Sequence, residues 1–326
     1  MSTERSVEHQ RGRRAVPWLS LVVFLAMSLG GAWVVVSPLW ASGVGLSSPW
    51  AAALLPAMMF TPAVAVLVVG LIERKRPAAA VRELGMWPLR PAKRVVGLTL
   101  IGLLGVPLVI AAGIAIAAVL GWVDLDLRHL SGFRAELRAS AGDAADTIPV
   151  RFVVIIQLVS IPFAALFNGV LAFGEEVGWR GWLLPRLRVH MGTWPSILVT
   201  GAIWGAWHSP LILLGYNFAQ PNIAGVSLMV VACAAIGTLF GWLRLRSGSL
   251  WPSVFAHGAL NASAGLVVLF SAAGRELNPI LAGPLGVATW LAVAAIVAVL
   301  GVFHQFKASR LGSVTNPSAE VKEWLR

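Results

Sequence analysis

Three short groups of polar residues interrupt an otherwise apolar chain, and each holds side chains able to move a proton or bind an oxyanion. The first is GEEVGWRGW, residues 174–182. On a helix Glu176 and Arg180 are four apart and share a face, whereas Glu175 lies roughly 100° round the axis. That spacing assigns Glu176 to Arg180 as its ion-pair partner and leaves Glu175 free for proton transfer. Two adjacent carboxylates beside a guanidinium can also divide acid and base roles between them. The bland alternative is a solvated charge cluster at a helix end. Trp179, Trp182, Leu183 and Leu184 argue instead that this helix dips into a bilayer.

The second group is WGAWHSP, residues 204–210, in which His208 comes one turn after Trp204 and Pro210 can kink the helix and free a carbonyl. The third, HGALN, sets His257 and Asn261 four apart on one helical face. A histidine can donate, accept or bind metal, and an asparagine amide donates two hydrogen bonds, so this pair suits an oxyanion pocket. The structural alternatives are a lone interhelical hydrogen bond for His208 and a polar seam for HGALN. Three such groups on three apolar segments favour a shared site.

The reaction class is narrowed by what the sequence lacks. There is no HExxH, no GxSxG elbow, no Walker A loop and no GxGD. Glu175, His208, His257 and Asn261 around water fit general-base hydrolysis, with a carboxylate deprotonating water and amide or imidazole donors holding the tetrahedral intermediate. No cofactor is required in that reading. The alternative is zinc held by Glu175, His208 and His257 with an open fourth position.

The elements that position these groups must be membrane helices. The 326 residues are 58% hydrophobic and 12% charged, against about 25% charged for soluble domains. Eight apolar stretches are long enough to span a bilayer, at about 17–38, 50–72, 95–120, 150–173, 194–214, 223–243, 250–270 and 283–304. The fold class is therefore all-α and polytopic, with a single membrane domain over 17–304 between a segment 1–16 and a tail 305–326. The apolar run after Arg14 is too long for a cleaved signal and reads as the first anchor.

Twenty of the 25 Lys and Arg residues fall on one side of this arrangement, which places both termini in the cytoplasm. These charges sit in short loops, so nucleic acid is not a partner; the bilayer is. Many of the 15 Trp residues, such as Trp18, Trp50, Trp122, Trp194, Trp251 and Trp290, stand near span ends as interfacial anchors. The longest polar connection, 121–149, contains LRHLSGFRAELRA and suits an interfacial helix or lid. Cys233 is the single cysteine, which excludes disulfides and thiolate clusters. Without visible repeats, a proton-coupled transporter is not favoured.

One conflict of depth arises. Glu175 stands near the end of the fourth span, whereas His208 lies about 14 residues, or roughly 21 Å, into the fifth. The two meet if the fourth helix continues past Glu175 to Leu184, as its apolar residues suggest.

EEVGWR fits an EExxxR motif, WGAWH resembles FxxxH and HGALN fits HxxxN, in the order and membrane placement of the CPBP family of CAAX prenyl endopeptidases and bacteriocin-immunity relatives. The resemblance covers about residues 150–270. It implies an intramembrane endopeptidase acting on a membrane-protein or peptide substrate in a multi-pass cell-membrane setting, and the Ala- and Arg-rich composition points to a bacterial inner membrane. The resemblance further implies Glu175 as the base with His208 as its partner, His257 and Asn261 as the oxyanion pair, and Glu176 and Arg180 in support. Trp204 replaces the usual Phe, a departure in size that bears on packing or substrate fit. A non-catalytic immunity or scaffold protein is the alternative function.

Overall fold

The computed structural model describes residues 18–312. The expected segment 1–16 and the tail beyond 312 lie outside the described residues. The helices in chain order are α1 (Trp18–Ala41), α2 (Ala51–Met58), α3 (Thr61–Ile72), α4 (Pro77–Glu83), α5 (Ala92–Val119), α6 (Ser131–Ala141) and α7 (Val150–Glu176). A π-helical segment, Val177–Leu183, then leads into α8 (Leu184–Met191). After it come α9 (Thr193–Trp207), α10 (Ser209–Ile212), α11 (Ile223–Ser247), α12 (Trp251–Ala262), α13 (Leu266–Phe270), α14 (Pro279–Ala282) and α15 (Val287–Val302). No strand occurs among the described residues.

In hydrocarbon every backbone amide must be satisfied internally, which is why so apolar a chain resolves into helices. Burial follows the inverse of the soluble pattern. In α1 the buried positions Ser20, Phe24, Ser28, Ala32 and Val36 recur every four residues, while Leu19, Val22 and Val34 are exposed. The small or polar stripe faces the bundle and the large aliphatic residues face lipid.

Six helical stretches are long and apolar enough to cross a membrane: Trp18–Ala41, Ala51–Ile72, Ala92–Val119, Val150–Met191, Ile223–Ser247 and Pro279–Val302. The two other expected spans, 194–214 and 250–270, are present as broken pairs, α9 with α10 and α12 with α13. Their breaks fall at His208 and at Ser263–Gly265. Irregular backbone at membrane depth is tolerated where protein encloses it, as at the buried His208; at the second break Ser263 is buried while Ala264 and Gly265 are exposed.

α11 is the central helix, buried at every position from Ile236 to Leu245, as a helix surrounded by others must be. Its contact with α9 depends on small residues. A Cβ at Gly205 would come within 2.5 Å of Val230 Cα, so only glycine permits the two backbones to approach this closely. The seam between α12 and α7 uses the same device, since a Cβ at Gly258 would overlap the Ala165 carbonyl oxygen. These two seams carry His208 and His257 toward α7.

The fourth span does continue past Glu175. It runs without interruption to Met191, through the π segment in which Leu184 N–H bonds the Trp179 carbonyl. Gly174 to Leu184 are buried throughout, so the solvated-cluster reading of GEEVGWRGW fails. The α8 end is tied down by Arg186, which pairs with Glu73 and Glu83 at 3.6 and 3.5 Å; Lys75 pairs with the same two carboxylates.

The expected interfacial helix is α6, whose buried residue is Phe133. Asp126 receives the backbone N–H groups of His129 and Ser131 at 2.8 and 3.3 Å, fixing the turn that enters it.

Candidate active site

The π segment delivers two carboxylates and a guanidinium to one buried spot. Glu175 is 2% exposed, Glu176 0% and Arg180 1%. Arg180 Nη1 donates to Glu176 Oε1 at 2.8 Å, as the spacing of four predicts. The same oxygen accepts a second hydrogen bond, from His257 Nδ1 at 2.9 Å. Burying a charge in hydrocarbon demands such pairing. Glu176 Oε1 is therefore the hub that joins Arg180 and His257.

Glu175 is held differently. Trp204 Nε1 donates to its Oε2 at 2.6 Å, and its Oε1 forms no hydrogen bond among the described residues. The Trp204 backbone carbonyl in turn accepts from His208 Nδ1 at 2.9 Å. A carbonyl can only accept, so His208 carries its proton on Nδ1 and presents Nε2 as a free base. By the same logic His257 donates from Nδ1 to the Glu176 carboxylate, which leaves Nε2 for another partner.

Aromatic rings wall these groups. The Arg180 guanidinium lies 4.3 Å from the Trp204 ring centroid and 5.2 Å from that of Phe240. His257 meets Trp204 edge-on at 5.2 Å and lies 5.6 Å from Phe240. Trp207 packs edge-on against His208 at 4.6 Å and donates from Nε1 to Thr61 Oγ1 at 3.0 Å. α3 thus braces the break at His208.

Asn261 lies one turn beyond His257 on the same face of α12 and is half-buried; its amide forms no hydrogen bond among the described residues. It is the least enclosed of the expected site residues.

The structure thus links Glu175, Glu176, Arg180, Trp204, His208 and His257 in one chain of contacts. Three points go beyond the sequence expectation. Glu176, assigned by spacing to Arg180, also accepts from His257. Trp204 contributes more than size, because its indole N–H grips Glu175 where phenylalanine has no donor. Arg244, counted among loop charges in a 244–249 turn, lies inside α11, is 7% exposed and donates from Nε to the Arg180 carbonyl at 3.1 Å. Phe240, Thr61 and Arg244 escaped sequence reasoning. Only Arg244 carried a signal, as an arginine adjoining a membrane span.

Among the described residues no three His, Cys, Asp or Glu side chains are arranged to hold a metal ion. As they stand, Glu175, His208 and His257 do not form the ligand set that the zinc alternative needs.

Trp204→Phe tests the indole contact. It is expected to keep the stacking but strand Glu175 Oε2, costing about 1–3 kcal/mol, read as a lower unfolding midpoint in detergent. An unchanged midpoint would show that the N–H contributes nothing.

Residues 155–263 match the family model described as Type II CAAX prenyl endopeptidase Rce1-like. All three polar groups fall within that range. The chain is also 24% identical over 132 residues to CAAX prenyl protease 2 of Methanococcus maripaludis, a match covering 39% of this chain and 43% of that protein. The chain thus spans less than half the length of the relative it matches.

Proposed function

We propose that this chain, whose residues 155–263 match the Rce1-like family model, is an intramembrane endopeptidase in which Glu175 activates water. The observation that carries the reading is the unequal treatment of two adjacent buried carboxylates. Glu176 is committed through Oε1 to Arg180 and His257, and its Oε2 is sealed in without a partner, while Glu175 is steadied by one indole N–H and forms no ion pair among the described residues.

In the proposed reaction Glu175 Oε1 takes a proton from water as the water oxygen attacks the scissile carbonyl carbon. His208 Nε2 accepts the other water hydrogen as a hydrogen bond and aims the nucleophile. The carbonyl oxygen becomes an oxyanion, which receives Asn261 N–H groups and His257 Nε2. For His257 to donate from both nitrogens its ring must carry a positive charge, and the Glu176 carboxylate is placed to balance it. When the C–N bond breaks, protonated Glu175 returns its proton to the leaving amine. No step is routed through a metal.

Asn261→Ala removes oxyanion donors without touching the ionic cluster. Its kcat is expected to fall about 10²-fold or more with KM little changed, the loss typical of one oxyanion donor. An equal rise in KM with constant kcat would place Asn261 in substrate binding instead.

The substrate class we propose is that of the relative's name: a membrane-associated protein or peptide with a lipidated C-terminus. The test is cleavage of a farnesylated CAAX peptide and its unlipidated twin by purified protein in liposomes, with and without a zinc chelator. Cleavage that persists in chelator and depends on the lipid supports the reading. Chelator-sensitive cleavage would restore zinc, and failure to cleave either peptide while immunity activity persists would favour a non-catalytic scaffold.

A further inference from the structure

A cavity of 460 Å³ lies far from the carboxylates, between α5, α7 and α13. Ile161 and Pro162 line it, and they stand 13 to 14 residues before Glu175, roughly 20 Å along the same helix. Leu104, Leu108, Ala111 and Phe270 form other parts of the wall, and every lining residue is apolar. Leu108 is 69% exposed and Leu104 half-exposed, so the groove opens sideways, where the surrounding medium is acyl chain.

Its rim is charged. Leu127 lines the groove, and Arg128 beside it in the chain is exposed. Arg151 lies seven residues before the lining Leu158, on the same face of α7. Arg151 Nη2 donates to the Arg128 carbonyl at 2.9 Å, which brings the two residues together above the opening. Neither guanidinium forms an ion pair among the described residues, and the neighbouring Asp126 carboxylate is occupied by the backbone of His129 and Ser131. Arg134 turns its Nε to the His129 carbonyl.

An apolar slot beside two arginines that have no acidic partner among the described residues matches an amphiphile with a hydrocarbon tail and an anionic head. From Leu104 to Ala115 the wall runs about 16 Å along α5, close to the depth of one leaflet's hydrocarbon. We propose that this groove is a binding site for an anionic phospholipid, with one acyl chain along α5 and its phosphate at Arg128 and Arg151. The site is independent of the proposed peptidase reaction, at the opposite end of α7.

The test is native mass spectrometry of the full chain in detergent, titrated with phosphatidylglycerol or phosphatidylcholine. One phosphatidylglycerol per chain is expected to survive activation, with a preference on the order of tenfold over phosphatidylcholine. Ala111→Trp, at an exposed wall position, is expected to abolish the bound lipid of either kind. The pair Arg128→Glu with Arg151→Glu is expected to bring the two lipids to parity. Equal binding of both lipids by the unaltered chain overturns the proposal, as does a phosphatidylglycerol adduct that persists in Ala111→Trp. If Ala111→Trp does not fold, the charge-reversed pair decides, and retention of the tenfold preference in it overturns the proposal.

Discussion

Glu175→Gln is expected to yield a folded, membrane-inserted protein whose peptide hydrolysis falls at least about 10³-fold, within the range for loss of a general base. The substitution is nearly isosteric, and the amide oxygen can still accept the Trp204 N–H at the 2.6 Å contact. What it loses is the ability to take a proton. The loss should appear in kcat with little effect on KM, because the interaction matters only as water is deprotonated. The measurement is steady-state cleavage by the purified variant in liposomes, with circular dichroism confirming the helical fold. Turnover within tenfold of the unaltered enzyme would remove Glu175 from the chemistry.

The neighbouring substitution is expected to behave in the opposite way. Glu176→Gln takes the negative charge from a carboxylate that serves both Arg180 and His257 in a fully buried cluster. Arg180 is 1% exposed and no other carboxylate pairs with it among the described residues, so its charge is left uncompensated. Breaking a buried pair from one side costs about 3–5 kcal/mol, a large share of the few kcal/mol by which a typical domain is stable. Glu176→Gln should therefore insert poorly or unfold at much lower temperature. The companion Glu176→Gln with Arg180→Met should recover part of that loss, since it removes the stranded charge as well. Unfolding midpoints of the two single variants and the pair form a double-mutant cycle. Additive losses would show that Glu176 and Arg180 are not coupled.

The pairing of Glu176 with Arg180 was legible in the sequence because it rests on helical spacing alone. The continuation of the fourth span was legible too, from the apolar residues between Trp179 and Leu184. Hydropathy also located the stretches 194–214 and 250–270, and Pro210 signalled the break near His208, but a windowed average cannot register the one at Ser263–Gly265. The contact of His257 with Glu176 joins residues 81 positions apart, and nothing in HGALN announces that partner. Trp204 misled for a different reason: comparison with phenylalanine draws attention to ring size, whereas the consequence lies in one N–H. Arg244 was hidden by its position at a span end, where an arginine ordinarily signals topology.

The π segment has a consequence in phase. A π turn holds about one residue more than an α turn, so the helix beyond Leu183 is rotated by roughly 100° relative to an uninterrupted α-helix. Arg186 reaches Glu73 and Glu83 from that shifted setting. Deleting one residue between Val177 and Leu183 would restore the common pitch and turn Arg186 away from both acids, while Glu175 and Glu176 kept their azimuth on α7. One continuous helix thus carries two independently set azimuths, one for the carboxylates and one for the anchoring of its far end.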